Sequence, residues 1–267
     1  MAEIQNTFED VTVVAHVNLH KSAAANADCK DYIRKNLSEN TAVLVGIQEP
    51  HMNRKGVTYL PDKSLIYDRS GRGGKARAVI FASTNLNVTP VPSFTSRDMA
   101  TGLWSTGENS IPKIMVVSLY LDGTFQRTIP AKLQEVVEFC RRKQLEILIL
   151  SDVNAHSCMW GETHTNRRGE DIEDFLFEHD LIVLNEGNVE RSYTYYRANS
   201  KSIVDITVVS TGLAQQIHDW EVTNDITTSD HRLIKFHLLC PPAKIKQTRN
   251  FKKGSWNQFQ WEVSPLY

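Results

Sequence analysis

Five places in the 267-residue sequence set oxygen- or nitrogen-bearing side chains against short apolar runs: Asn18, Glu49, Asp152 with Asn154, Asp205, and Ser229-Asp230-His231. Hard divalent cations such as Mg²⁺ take oxygen ligands and keep several waters. Glu49, Asp152, Asn154 and Asp230 supply such oxygens. An ion held there could polarise a phosphodiester and offset charge developing on its oxygens. His231 could donate to a phosphate oxygen while Asp205 holds its ring and raises its pKa. Asp152 could orient or deprotonate a water, with Asn154 fixing that arrangement by hydrogen bonding. Asp205 stands between Val204 and Ile206, where a carboxylate is costly to bury unless it is paired or binds metal.

Each residue also has a plainer use. Asn18 could cap a following helix, Glu49 before Pro50 could be a loop carboxylate, and Ser229-Asp230-His231 could be a turn before a strand. Asp152 and Asn154 point the same way if the strand that ends in EILIL continues through them. His156, Cys158 and His164 invite a zinc reading, but their spacing matches no closed four-ligand signature.

The elements that would carry these groups alternate along the chain. Val11–Val17 is β-branched and alternating, and reads as a strand. A helix is predicted over Ala23–Leu37 and a buried strand over Ala42–Ile47, with Gln48-Glu49-Pro50 directly after it. Gly71, Gly73 and Gly74 loosen a loop before a strand at Ala76–Ala82, and Ile114–Tyr120 is the next strand. Leu133, Val136, Val137 and Cys140 share one face of a predicted helix at Ala131–Gln144. Glu146–Leu150 follows as a strand, Asp171–His179 as a helix, and Val204–Val209 and Leu233–Leu239 as late strands separated by polar turns. Two central sheets with helices outside account for this order better than a simple Rossmann unit.

Bulk properties narrow the classes. A chain that is 41% hydrophobic and 23% charged can bury a full core. The formal net charge of −1 speaks against a nonspecific nucleic-acid coat protein. It leaves room for a site whose acids offset basic phosphate contacts. Cys29, Cys140, Cys158 and Cys240 form no CxxC pair and read as reduced thiols. No secretory signal opens the sequence and no uncharged apolar run reaches a membrane-spanning length.

Taken in order, VNLHKSAA at Val17, GIQEP at Gly46, VSLYLDG at Val117, LSDVNAHSCMWG at Leu150, IVLNEG at Ile182, SIVDITVVS at Ser202 and SDHRLIKF at Ser229 resemble the endonuclease/exonuclease/phosphatase superfamily. Within it, the sequence resembles the apurinic-like endonuclease domain of insect-type non-LTR retrotransposons. The resemblance implies a four-layered α/β sandwich of the DNase I-like kind, with two central mixed β-sheets flanked by helices. It implies a Mg²⁺-dependent endonuclease, with Mn²⁺ as an alternative ion, that nicks double-stranded target DNA. The 3′-hydroxyl left behind would prime reverse transcription in the nucleus. Asn18 would serve active-site hydrogen bonding, Glu49 the metal, and Tyr120 the scissile phosphate. Asp152 and Asn154 would orient water and phosphate, Asp205 would pair with His231, and Asp230 would lie in the metal environment.

Two positions depart from the pattern of apurinic repair enzymes. Asn-x-Asp is Asn18-Leu19-His20 here, and Tyr-x-x-Asn is Tyr120-Leu121-Asp122-Gly123. Both changes favour simple nicking over abasic-site cleavage, and His20 reads as a solvent- or DNA-facing side chain. Tyr193–Ser202 reads as a short hairpin or bent loop near the cut, with Arg197, Lys201 and His156 as candidate DNA contacts. The plainer alternative packs its tyrosines on the core. The expected organisation is an extension at 1–10, the endonuclease domain at 11–240, and a basic linker at 241–267 leading to a downstream reverse transcriptase. That downstream domain would engage the element RNA; no membrane and no obligate protein partner are expected. A phosphatase acting on a phosphoinositide or other small phosphate, and a catalytically dead DNA-binding domain, are the competing readings.

Overall fold

The computed structural model describes residues 11–38, 41–105, 113–124, 128–185, 193–197, 200–226 and 228–239. The expected extension at 1–10 and linker at 241–267 lie outside them. In chain order the elements begin with β1 (Val11–Asn18), α1 (Ala23–Asn36), β2 (Ala42–Gln48), β3 (Met52–Asn53), β4 (Gly56–Val57), β5 (Leu65–Ile66) and β6 (Ala78–Ala82). Next come β7 (Val88–Pro90), β8 (Met99–Trp104), β9 (Ile114–Tyr120), α2 (Ala131–Lys143), β10 (Glu146–Asp152) and α3 (Arg167–Glu178). The chain continues through β11 (Leu181–Val183), β12 (Tyr195–Arg197), β13 (Ser200–Ser202), β14 (Asp205–Ser210), α4 (Thr211–Ala214), β15 (Ile217–Thr223) and β16 (Leu233–Leu239).

Two six-stranded sheets form the centre, in the orders β15-β16-β1-β2-β6-β5 and β11-β14-β10-β9-β8-β7. Both are mixed: β1 runs parallel to β2, β9 runs parallel to β10, and the other neighbours are antiparallel. Strand alternation sorts the apolar residues into three layers. Val13, Ala15 and Val17 meet Ala25, Cys29 and Ile33 of α1. Val14, Leu44 and Ile80 of one sheet face Val116, Leu148 and Leu150 of the other. Ile147 and Ile149 pack with the predicted α2 face (Leu133, Val136, Val137 and Cys140) and with Ile172, Phe175 and Leu176 of α3. The result is the expected four-layered sandwich, helix–sheet–sheet–helix.

Several boundaries differ from the sequence reading for local reasons. Helix α3 starts at Arg167 rather than Asp171, because the Asn166 side chain caps it by accepting from the Gly169 N–H at 2.8 Å. Gly169 sits mid-turn because a Cβ there would lie 2.0 Å from the His156 carbonyl oxygen. The segment between the two late strands, expected as polar turns, contains α4 and the edge strand β15. A register shift between His218 and Glu221 breaks the alternation of β15, and one face of an edge strand is polar. None of the described helices is long and apolar enough to cross a membrane.

Candidate active site

The same alternation that builds the layer between the sheets also builds the site. On the inner face, β1 reads Val14, His16, Asn18; β2 reads Leu44, Gly46, Gln48; β9 reads Val116, Ser118, Tyr120; and β10 reads Leu148, Leu150, Asp152. Each run turns from apolar to polar toward the carboxyl end of a parallel strand. Cross-sheet hydrogen bonds engage one end of each buried polar side chain: His16 Nε2 with Thr207 Oγ1 at 2.9 Å, and Gln48 Nε2 to Ser118 Oγ at 3.1 Å and to the Leu150 carbonyl at 2.9 Å. Beyond them a cleft of about 600 Å³ opens, lined by Asn18, His20, Glu49, Tyr120, Asp152, Asn154, His156, Lys201 and His231 among others.

At its floor Asn18 Nδ2 donates to Asp152 Oδ2 at 2.7 Å. Helix α1 is capped instead by Ser22, whose Oγ accepts from the Ala25 N–H. Strand β10 ends at Asp152 and does not continue to Asn154, so the two side chains are not aligned by pleating. The Asn154 N–H donates to Asp152 Oδ1 at 3.1 Å and closes a turn that puts Asn154 at φ +46°. Its Nδ2 then reaches the Leu121 carbonyl at 3.1 Å.

Behind this pair lies Asp205, which faces Asp152 across the β10–β14 register. Its Oδ2 accepts from His231 Nδ1 at 2.8 Å, which supplies the partner its burial demands. Oδ1 has no hydrogen-bond partner among the described residues. Burial and the negative charge of Asp205 push the Asp152 carboxyl well above its ordinary range. Burial works against a charged His231, but the charge and hydrogen bond of Asp205 outweigh it, and the ring pKa is raised. Burial, then the charges of Glu49 and Asp152, raise the Tyr120 phenol and keep it protonated as a donor.

Glu49 adopts φ +44°, and its Oε1 accepts from Lys21 Nζ at 2.7 Å. Lys21, itself at φ +56°, was not singled out from the sequence. The HK pair in VNLHKSAA follows a polar strand end and was the available signal. Asp230 does not line the cleft and pairs with His20 Nδ1 at 3.3 Å. The four proposed metal ligands are thus split, with Glu49, Asp152 and Asn154 on the cleft and Asp230 to one side. Among the described residues, two groups could each converge on one ion, His20-Asp230-His231 and Asp152-Asp205-His231. His156 and His164 stack at 5.1 Å, while Cys158 is exposed.

Within Tyr193–Ser202, β12 and β13 pair antiparallel, with Tyr196 opposite Lys201 and Arg197 opposite Ser200; residues 198 and 199 lie outside the described set. The tyrosines of this segment divide between the two expected uses. Tyr193 packs against the core, and Tyr195 sets an edge on His231 with ring centroids 5.0 Å apart. Lys201 Nζ lies 4.2 Å over Tyr193. Arg197 is exposed and outside the cleft lining.

A mixed double sheet flanked by helices, with polar strand ends converging on one cleft, matches the DNase I-like fold. Within it, residues 114–235 match the family described as endonuclease-reverse transcriptase. The chain is similar in structure to the endonuclease domain of TRAS1, a telomere-specific non-LTR retrotransposon. That likeness has a TM-score of 0.67 and 23% identity, and covers 85% of this chain and 98% of the other. An AP endonuclease of Leishmania major aligns at TM-score 0.59 and 12% identity over 87% and 89% of the two chains. The APE2 catalytic domain of Xenopus laevis aligns at 0.57 and 12% over 86% and 92%. No curated protein matches the sequence. The matched segment holds Tyr120, Asp152, Asn154, Asp205, Asp230 and His231, whereas Asn18 and Glu49 precede it on the β1 and β2 ends.

Proposed function

We propose that this chain is a divalent-metal-dependent endonuclease that nicks double-stranded DNA and leaves a 3′-hydroxyl. In the nucleus that hydroxyl would prime reverse transcription by a domain further along the polyprotein. One observation carries the reading: Asp152, braced by Asn18 and Asn154, shares a single cleft with an Asp205-held His231. The donor set fits a hard cation. Glu49, Asp152 and Asn154 bring oxygens to the cleft, and Glu49 already draws the ammonium of Lys21. Bound there, Mg²⁺ or Mn²⁺ would offset charge on the phosphate oxygens.

The chain's own residues do the rest. Asp152 orients a water against phosphorus and takes its proton, aided by the basicity that burial and Asp205 lend it. The new P–O bond forms as the bond to the 3′-oxygen breaks, and that oxygen leaves by taking a proton from solvent, giving a 5′-phosphate and a 3′-hydroxyl. His231 and Tyr120 donate to the non-bridging oxygens, where charge accumulates. Asp230 steadies His20 at the rim.

Supercoiled plasmid tests the reading. Conversion to open circles with Mg²⁺, stopped by EDTA, supports it. Release of phosphate from a phosphoinositide with no nicking would replace it with the phosphatase reading. Plasmid binding without either reaction would mean a dead binding domain.

A further inference from the structure

Resting on the nuclease reading, we infer that Arg77 is a positioning residue that fixes the Tyr120 ring at the cleft. Arg77 immediately precedes β6. Its carbonyl accepts from the Glu49 N–H at 2.8 Å and its own N–H donates to the Arg97 carbonyl at 2.6 Å. Its guanidinium grips Asp98 with two bonds, Nε to Oδ1 at 2.5 Å and Nη2 to Oδ2 at 2.8 Å, and reaches Asp122 Oδ2 through Nη1 at 2.5 Å. With the fork fixed in plane, Cζ lies 4.6 Å from the Tyr120 ring centroid. Asp98 closes the loop, because its carbonyl accepts from the Tyr120 N–H at 2.9 Å.

The clamp ties the two sheets together at the site. Arg77 leads into the first sheet, Asp98 precedes β8 of the second, and Asp122 follows β9. Arg77 is buried and its two carboxylate partners are half-buried, and such an ion cluster is a poor way to stabilise a fold, since apolar side chains of equal volume do as well or better. It is a good way to hold one aromatic plane, because the planar guanidinium offers bidentate hydrogen bonds and a stacking face together. Arg77 does not line the cleft, whereas Tyr120 does. Its effect on the reaction therefore passes through Tyr120, whose hydroxyl must meet the phosphate within a fraction of an ångström.

A double-mutant cycle on plasmid nicking tests this. Arg77→Lys keeps the charge and loses the fork, and should lower kcat by roughly ten- to a hundredfold while KM for DNA stays within about twofold. In a Tyr120→Phe background, where the hydroxyl is already gone, the same substitution should change kcat by less than about threefold. An equal loss in both backgrounds would make Arg77 merely structural. A rise in KM alone would make it a DNA contact. Circular dichroism and melting accompany each variant; if Arg77→Lys does not fold, Asp122→Asn, which removes one arm of the grip, closes the same cycle. An inactive wild type would instead overturn the nuclease reading on which the inference stands.

Discussion

At the scale of single residues, the site works by pairing charges that would otherwise be too costly to bury. Asp152 and Asp205 face each other across two strands, and His231 is the cation that makes their proximity tolerable. Asp152→Ala and His231→Ala should each reduce nicking by roughly 10²–10³-fold with unchanged circular dichroism. Near-wild-type rates in either folded variant would sink the assignment. Asp205→Asn separates charge from geometry. The raised pKa of His231 comes from the Asp205 carboxylate, so neutralising it lowers that pKa. If protonated His231 is the donor, activity is lost as pH rises through its pKa, and the alkaline limb of the rate profile must move to lower pH in the variant. A pH–rate series settles it; a stationary limb would mean that His231 acts as a neutral donor.

At the scale of elements, we propose that the β12–β13 hairpin takes part in target choice. Its root is fixed on the core through Tyr193 and on His231 through Tyr195, and Arg197 stands exposed on it, outside the cleft lining. Arg197→Ala should blur cleavage-site preference more than it lowers total nicking, because phosphate binding and the catalytic groups remain. Lys201→Ala, at the cleft wall, should weaken binding to all sequences alike and flatten the salt dependence by about one unit of slope. Nick mapping on a native target at matched salt distinguishes the two. An unchanged pattern after exchanging the hairpin would remove it from recognition.

At the scale of the whole molecule, the site exists because two sheets approach closely enough to share it. Gly46 permits that approach, for a Cβ there would lie 2.7 Å from the Leu150 Cβ. Gly46→Ala should cost about 1–3 kcal/mol in denaturant unfolding through overpacking and reduce nicking as Asn18 is pushed from Asp152. Full activity with unchanged stability would mean that the layer is looser than its contacts imply. His16, buried in the same layer, has its pKa lowered to about 4 from an ordinary 6.5, chiefly by burial. A lowered histidine leaves the unfolded chain the better proton binder between those values, so stability falls as pH drops through that window. Between pH 7.5 and 5 the wild type should lose about 2 kcal/mol more than His16→Asn. Parallel unfolding curves for the two proteins would contradict this.

The sequence by itself determined the strands that carry the site, because β-branched and apolar runs of strand length have few other uses. Ile114–Tyr120 and Leu233–Leu239 were legible to the residue, and so was the buried face of α2. It also pointed to Asp205 with His231, since a carboxylate amid Val204 and Ile206 must find a partner. Tertiary structure decided what no local pattern encodes. It turned Asn18 from a possible helix cap into the brace of Asp152, sent Asp230 to His20, and gave Glu49 to Lys21. It also recruited Arg77, whose partners lie 21 and 45 residues away. Side-chain alternation says which face of a strand a residue takes, whereas hydrogen-bond partners follow from which strand ends the two sheets bring together, and that is fixed by packing across the layer between them.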